Sequence, residues 1–387
     1  MAVDTGLELE TLLRRLVAID SVSSRPNAPM IELLEGELKR LGFSTRRHCH
    51  LDAAGVEKLN LVAHAGPEPG GTNRGLALVG HTDTVPYDPD WREALLLTRD
   101  GDRLLGRGSC DTKGFIACAL TAASRADLSA LREPLWLAFT ADEETGCAGA
   151  KELVRLGALR PRHAIVGEPT RLQPIRANKG YCLADVEVHG VEGHSAYPDG
   201  GASAIAAAVV LLEGIHQLSV ELAARVDRAF EPPHTTLNVG VISGGKAKNI
   251  IPGECHFTLE WRPVPGDDPN EVPERVRELI RRLEASHPRV SAKLELLRLD
   301  TGVNTPASAP LVRFLEEQSG NGAATVAFGT EAPELAALGA QAVVFGPGDI
   351  RVAHQTGEFV PIGDLVRCTE ILQAAILRFC GREAQDP

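Results

Sequence analysis

The sequence predicts an α/β protein with a second, smaller domain inserted into it, and three observations carry that expectation. Short apolar runs recur early in the chain and stop at polar clusters, as buried strands of a parallel sheet do. Helix-period stretches alternate with those runs, the order of a largely parallel sheet. A middle stretch then switches to strand, helix, strand, strand, helix, strand before the alternation resumes.

Taken in order, Leu7, Leu9, Leu12, Leu13 and Leu16 have helical spacing, and a second helix fits Met30 to Leu41. The SVSSRPNAP segment between them is a loop by its Ser, Pro and Asn content. Asn60 to Ala63 reads as a strand, and the Gly/Pro-rich stretch from Gly66 to Gly75 as a surface connection. Leu76 to Val79 is a buried strand closed by Gly80, with His81, Thr82 and Asp83 where it ends. Leu95 to Leu105 is a hairpin turned at Asp100-Gly101-Asp102. GRGSCDTKG, from Gly106 to Gly114, leads into an apolar helix, Phe115 to Ala123. The strand Leu135 to Phe139 stops at TADEET, a helix follows over Ala148 to Leu156, and the strand Ala164 to Val166 stops at Gly167-Glu168-Pro169.

The inserted stretch has strands at Tyr181 to Val188, Thr235 to Ile242, Glu254 to Trp261 and Val290 to Leu297, with helices at Ala202 to Val226 and Asn270 to Glu284. That is the β-α-β-β-α-β order of a ferredoxin-like unit. The expected division is therefore 1–178 and 298–387 for one domain and 179–297 for the insert. A chain of 387 residues exceeds what one core usually holds, which agrees with two domains.

Composition excludes several function classes. A net charge of −12 leaves no footprint for nucleic acid or an anionic membrane. The eight cysteines form no C-x-x-C pair, against a zinc ribbon or a secreted disulfide framework. The longest apolar run, Ala204 to Leu212, is too short to span a bilayer. The start of the chain, with Asp4, Glu8 and Glu10, lacks a basic-then-apolar signal pattern, so a cytoplasmic location is expected. No G-x-x-x-x-G-K or G-x-S-x-G motif is present, against a nucleotide enzyme or a serine hydrolase.

Metal-ligating side chains cluster at the strand ends: His81, Asp111, the pair Glu143-Glu144 and Glu168, with His354 in a later loop. Imidazoles and carboxylates together suit zinc, cobalt or manganese. A dinuclear site needs a bridging carboxylate and terminal ligands, and hydrolysis needs one further carboxylate to take a proton from water. Glu143 and Glu144 can divide those roles where the backbone between them is bent. Asp83, two residues from His81, is placed to accept the hydrogen bond that fixes its tautomer. Taken singly, each residue also fits a plainer role. Glu143-Glu144 fits a solvated turn, Asp111 a helix cap, Glu168 an exposed turn and His354 a surface histidine.

GHTDTVP, GRGSCDTKG, TADEETG, VGEPT, GHSAYP, WRPVPG and FGPGDIRVAHQTGE resemble the successive motifs of the M20 di-zinc aminoacylase and deacylase peptidases. The resemblance covers nearly the whole chain, in motif order and spacing. GEPTRLQPIRANKG, GTEAPEL and GPGDIRVAHQ narrow it to enzymes that take the acetyl group from an acetylated amino acid. It implies a zinc-peptidase-like three-layer catalytic domain with an inserted ferredoxin-like lid that pairs two copies into a homodimer. It also implies two divalent ions, zinc or cobalt, and a small acylated amino acid as substrate. Asp111 would bridge the metals, with His81 and Glu168 completing one site and Glu144 and His354 the other. Glu143 would be the general base, with Asp83 behind His81. His194 would donate to the developing oxyanion, Arg262 would grip the substrate α-carboxylate, and Asn249 would support the same polar end. Phe328 and Gly329 depart from the more polar pair expected in the region that reads the substrate side chain. Glu331 fits either a partner for a substrate ammonium or a helix-start carboxylate.

Overall fold

The computed structural model describes residues 5–68 and 70–381, so Asp4 of the acidic opening lies outside them. The chain divides into two compact units. One takes the chain up to Arg176 together with Thr305–Ala324 and the stretch from Thr330 onward, and the other holds Ala177–Asn304 and Thr325–Gly329.

The first unit is built on a mixed sheet. Its central strands Leu135–Thr140, Leu76–His81, His163–Val166 and Gln341–Val344 lie side by side in that order and run parallel. Leu76–His81 and Leu135–Thr140 are buried at every position, which accounts for their unbroken apolar reading. Alternation decides which helices they meet. Leu76, Leu78, Leu135, Leu137 and Phe139 join one core with the helices Lys113–Ser124 and Ile362–Cys380. Val79, Ala138 and Thr140 point the other way, against Ala150 and Leu153 of the helix Ala148–Leu156 and Leu335 of Ala332–Ala337. Helices cover both faces, and three layers result.

Two strands carry the sheet outward on one side. Glu57–Ala65 pairs antiparallel with Leu135–Thr140, and Ser44–Leu51 pairs antiparallel with Glu57–Ala65. The expected hairpin forms from Thr98–Asp100 and Arg103–Leu105, with Asp100 opposite Arg103.

In the second unit the sheet order is Thr236–Gly244, Glu254–Arg262, Tyr181–His189, Ser291–Asp300, all antiparallel. The first and third strands of the unit are therefore central, as in a ferredoxin-like fold. The helices Ala204–Ala223 and Glu271–Ser286 share a core with this sheet. The strand Ser291–Asp300 ends three residues beyond the expected Leu297, because its pairing with Tyr181–His189 continues to Asp300 opposite Tyr181. Ala204–Ala223 is also longer than the apolar run suggested. Among the described residues it is the one helix with the length and apolarity to cross a membrane, at a mean hydropathy of 1.5. Its buried side chains, from Ala204 to Leu222, pack within the unit's own core, and the Ser203 hydroxyl caps its start at the Ala206 amide.

Candidate functional site

Parallel strands deliver their carboxyl ends to one edge, where ligands bind in open α/β sheets. His81 is paired with Thr140, and Val79 with Val166. The residues that follow, Asp142 to Glu144 and Gly167-Glu168, therefore emerge beside His81. Gln341–Val344 runs parallel to His163–Val166, and the loop after it carries His354, whose backbone is left-handed with φ of 60°. Gly167 has no room for a side chain, because a Cβ there would lie 2.1 Å from the Phe115 ring. That close approach lets the helix Lys113–Ser124 start next to Glu168, with Thr112 Oγ1 donating to the Gly167 carbonyl at 3.0 Å.

The structure brings together all seven predicted residues of the first unit. Asp111 lies between the two histidines, with Oδ1 at 3.0 Å from His81 Nε2 and Oδ2 at 3.2 Å from His354 Nε2. Glu144 Oε1 is 3.1 Å from the same His354 nitrogen, and Glu168 Oε1 is 4.0 Å from His81 Nε2. Ligand atoms of His81, Glu143 and Glu168, and separately of His81, Asp111 and Glu144, all lie within 4.8 Å of one another. One carboxylate facing two imidazoles, with a further carboxylate beside each, is the donor set of a dinuclear centre.

The plainer roles of Asp111, Glu168 and Glu144 do not match this geometry, whereas His354, with its side chain 50% exposed, does lie at the surface. Thr112, not Asp111, occupies the cap position of the following helix, and it makes no side-chain cap bond. Glu168 is buried at 6% exposure rather than lying on an exposed turn. Glu143 and Glu144 sit in a turn, closed by the Gly146 and Cys147 amides on the Glu143 carbonyl, but the Glu144 side chain is only 8% exposed. Asp142, immediately before them, is left-handed at φ 59°, and the Gly146 amide on the Glu143 carbonyl makes Glu144 a central residue of the turn, so the backbone is bent there.

Electrostatics point the same way. Among the described residues no lysine or arginine pairs with Asp111, Glu143, Glu144 or Glu168. Burial, opposed by His81 and reinforced by Glu144, Glu331 and Asp111, pushes Glu143 up to about 8. Burial and the charges of Asp111 and Glu143 hold Glu168 well above the carboxylate range. Burial works against a charged His81, yet its hydrogen bond to Asp111 and the nearby Asp83 carboxylate hold it well above its ordinary value. Hydrogen bonds to Asp111 and Glu144 raise His354 to about 10. Crowded acids that hold protons and imidazoles that hold charge are what a divalent cation replaces, so the residues fit a metal.

Asp83 departs from its expected role. His81 Nδ1 is 3.0 Å from the Asp83 backbone carbonyl, and the Asp83 carboxylate is farther, at 3.6 Å. The carbonyl therefore fixes the tautomer, leaving Nε2 for the ligand side. The carboxylate instead accepts the amides of Glu143 at 3.1 Å and Glu144 at 3.3 Å, and the Ser23 hydroxyl at 2.7 Å.

Glu358, absent from the expected set, organises the loop before Asp111. Its carboxylate, 1% exposed, accepts the amides of Gly108, Cys110 and Asp111, each at 2.9 Å, and Nη1 of Arg107 at 2.6 Å. The one sequence signal was its place four residues after His354 in HQTGE. Glu331 stands at the N-cap position of the helix Ala332–Ala337, as a helix-start carboxylate would. It is fully buried, with Oε2 accepting from the Thr140 hydroxyl at 2.9 Å, and it makes no cap bond.

His194, Asn249 and Arg262 lie in the second unit. His194 pairs with Ile250 across a short antiparallel bridge, and the Ser195 amide donates to the Asn249 carbonyl at 3.1 Å. His194 is exposed, and its Nδ1 accepts the Ala196 amide at 3.1 Å, so the neutral ring carries its proton on Nε2. Arg262 donates Nε to Glu260 at 2.7 Å and Nη1 to the Ala327 carbonyl at 3.2 Å, and stacks 4.6 Å from the centre of the Tyr181 ring.

Residues 77–378 match the model of peptidase family M20/M25/M40. The chain is 56% identical to acetylornithine deacetylase of Myxococcus xanthus, over 98% of this chain and 99% of that one. It is 36% identical to acetylornithine deacetylase of Proteus mirabilis, over 95% and 96% of the two chains. Aminopeptidase PepT of Bacillus cereus has the same fold, with a TM-score of 0.78 at 18% identity over 96% of this chain and 98% of that one. A dinuclear metal binding peptidase of the M20 family from Bacillus subtilis superposes with a TM-score of 0.68 at 13% identity, over 97% and 98%.

Proposed function

From a chain that belongs to peptidase family M20/M25/M40, we propose a metal-dependent amidohydrolase that converts N-acetyl-L-ornithine and water to L-ornithine and acetate. The observation that carries the substrate is the 56% identity to a deacetylase of that name along nearly the full length of both chains. The convergent donor set at the sheet edge supports the chemistry.

Asp111, His81, Glu168, Glu144 and His354 would hold two divalent ions, with zinc and cobalt both suited to this mixture of imidazole and carboxylate. Once bound, such ions supply Lewis acidity toward the acyl carbonyl and make water acidic enough to react near neutral pH. Glu143 takes the proton of the attacking water and returns it to the leaving amine. Its carboxyl is free for that work, since its one side-chain partner among the described residues is the weakly donating Cys147 thiol at 3.7 Å. His194 carries the proton needed to donate to a developing oxyanion on its Nε2. Arg262 keeps Nη2 unengaged among the described residues while Glu260 and Tyr181 fix its plane, which suits a fork for an α-carboxylate.

The same reading makes the protein a homodimer through the second unit. The exposed apolar side chains Val209, Val210 and Val220 on its helix, and Val241 and Ile242 on its edge strand, are surface that a second copy would cover. Sedimentation should give about twice the 41.3 kDa chain mass, and a monomer at micromolar concentration would refute the pairing.

A panel of acyl amino acids tests the substrate. Metal-loaded protein is expected to show its highest kcat/KM on N-acetyl-L-ornithine. Preference for N-acetylcitrulline or N-succinyl-diaminopimelate, or for the free C-terminus of a peptide, would reassign the side-chain or acyl specificity.

A further inference from the structure

Lys58 is a charged side chain inside the strand Glu57–Ala65, and it is 1% exposed. Such burial costs several kcal/mol for an ammonium unless its protons are all taken up. The partners are specific. Nζ donates to the Ser23 carbonyl, and to the Arg25 carbonyl at 2.8 Å. It also forms an ion pair with Asp142 Oδ1 at 3.1 Å. Asp142 is itself 2% exposed and left-handed, and its second oxygen lies 3.4 Å from His50 Nε2.

Two of these contacts lead toward Glu143. Asp142 is the residue directly before it. Ser23 donates its hydroxyl to Asp83, which accepts the Glu143 and Glu144 amides. Asn60, two residues along the same face of the strand, holds the rest of this turn. Its Oδ1 accepts the Ala141 amide at 2.9 Å, and its Nδ2 donates to the Gly149 carbonyl at 3.1 Å. Lys58 thus ties the turn to the loop at Ser23.

We infer that Lys58 is a positioning residue for Glu143: its ammonium, ion-paired with Asp142, holds the left-handed residue from which the Glu143-Glu144 turn starts. The inference rests on the reading of Glu143 as general base. A solvated surface lysine could not do this work. Its flexible stem would not hold a backbone conformation that a non-glycine residue rarely adopts.

The experiment compares Lys58→Met, Lys58→Arg and the double variant Lys58→Met/Asp142→Asn with wild type and Glu143→Gln. For each, bound zinc, thermal midpoint, and kcat and KM on N-acetyl-L-ornithine are measured. The double variant removes the stranded buried carboxylate, so it is expected to fold where Lys58→Met alone does not. Loss of positioning should lower kcat by about 100-fold with KM and bound zinc unchanged, the scale of a displacement of roughly 1 Å at a reacting group. Lys58→Arg should recover part of kcat. A Lys58→Met or double variant with near-normal kcat overturns the inference. So does a loss of kcat that merely follows a loss of zinc, because Lys58 would then serve the fold alone. If Glu143→Gln is itself active, the base assignment fails instead, and the two failures are told apart.

Discussion

Glu143→Gln is expected to keep its metal ions and to lose nearly all turnover. Gln has the shape of Glu but cannot take a proton from water, and removing a positioned general base typically costs about 10²–10⁴-fold. The fold should be indifferent to the change. The Glu143 carboxyl makes no ion pair with lysine or arginine among the described residues, and its side-chain partner is a thiol at 3.7 Å. Its amide, which ties the turn to Asp83, is untouched by the substitution. The raised pKa of about 8, caused by burial and then by the surrounding carboxylates, belongs to the metal-free protein. Bound cations act in the opposite sense and lower it toward the range where a carboxylate accepts and returns a proton at neutral pH. The checks are single-turnover acetate release and metal counting on the same sample. Near-normal kcat with full metal content would move the base role elsewhere.

The second large effect is expected from Glu358→Ala, a residue that touches no substrate in this account. The substitution strands the Gly108, Cys110 and Asp111 amides and the Arg107 guanidinium, all now held by one buried carboxylate. Breaking a buried charged pair from one side costs about 3–5 kcal/mol. Asp111 also loses the anchor of its own backbone, and groups that orient metal ligands are worth about 10–100-fold in metal affinity. A lower thermal midpoint together with weaker zinc binding by equilibrium dialysis is therefore expected. Glu358→Gln, which retains one acceptor oxygen, should fall between. Unchanged zinc affinity in Glu358→Ala would show that Asp111 is placed independently of this carboxylate.

His81, Glu144 and Glu168 were legible as candidate ligands because each stands just after an apolar run, whereas Asp111 and His354 lie in loops. His81 follows LALVG, Glu143 and Glu144 follow LWLAF, and Glu168 follows AIVG, so strand burial alone put them at one sheet edge. The strand Ser44–Leu51 was not legible. It is an edge strand whose side chains are mostly exposed, and STRRHCHL buries only His48, so no apolar alternation marks it. The residues behind the ligands were invisible for a different reason. Glu358 acts on amides 247 to 250 positions earlier in the chain, and Lys58 on carbonyls and a carboxylate brought near by the sheet. No local pattern encodes such partners. Asp83 shows the limit of spacing as a guide. Its place two residues from His81 put it in the right neighbourhood, yet its backbone holds the imidazole and its carboxylate holds the Glu143-Glu144 turn.

The most direct test is a titration of metal-free protein with zinc, counting bound ions while following acetate release from N-acetyl-L-ornithine. Two ions per chain, with acetate release that appears on loading and is absent from an equally loaded Glu143→Gln sample, is the predicted result. Deacetylation by protein that holds no metal, or a fully loaded wild type that releases no acetate, would contradict it.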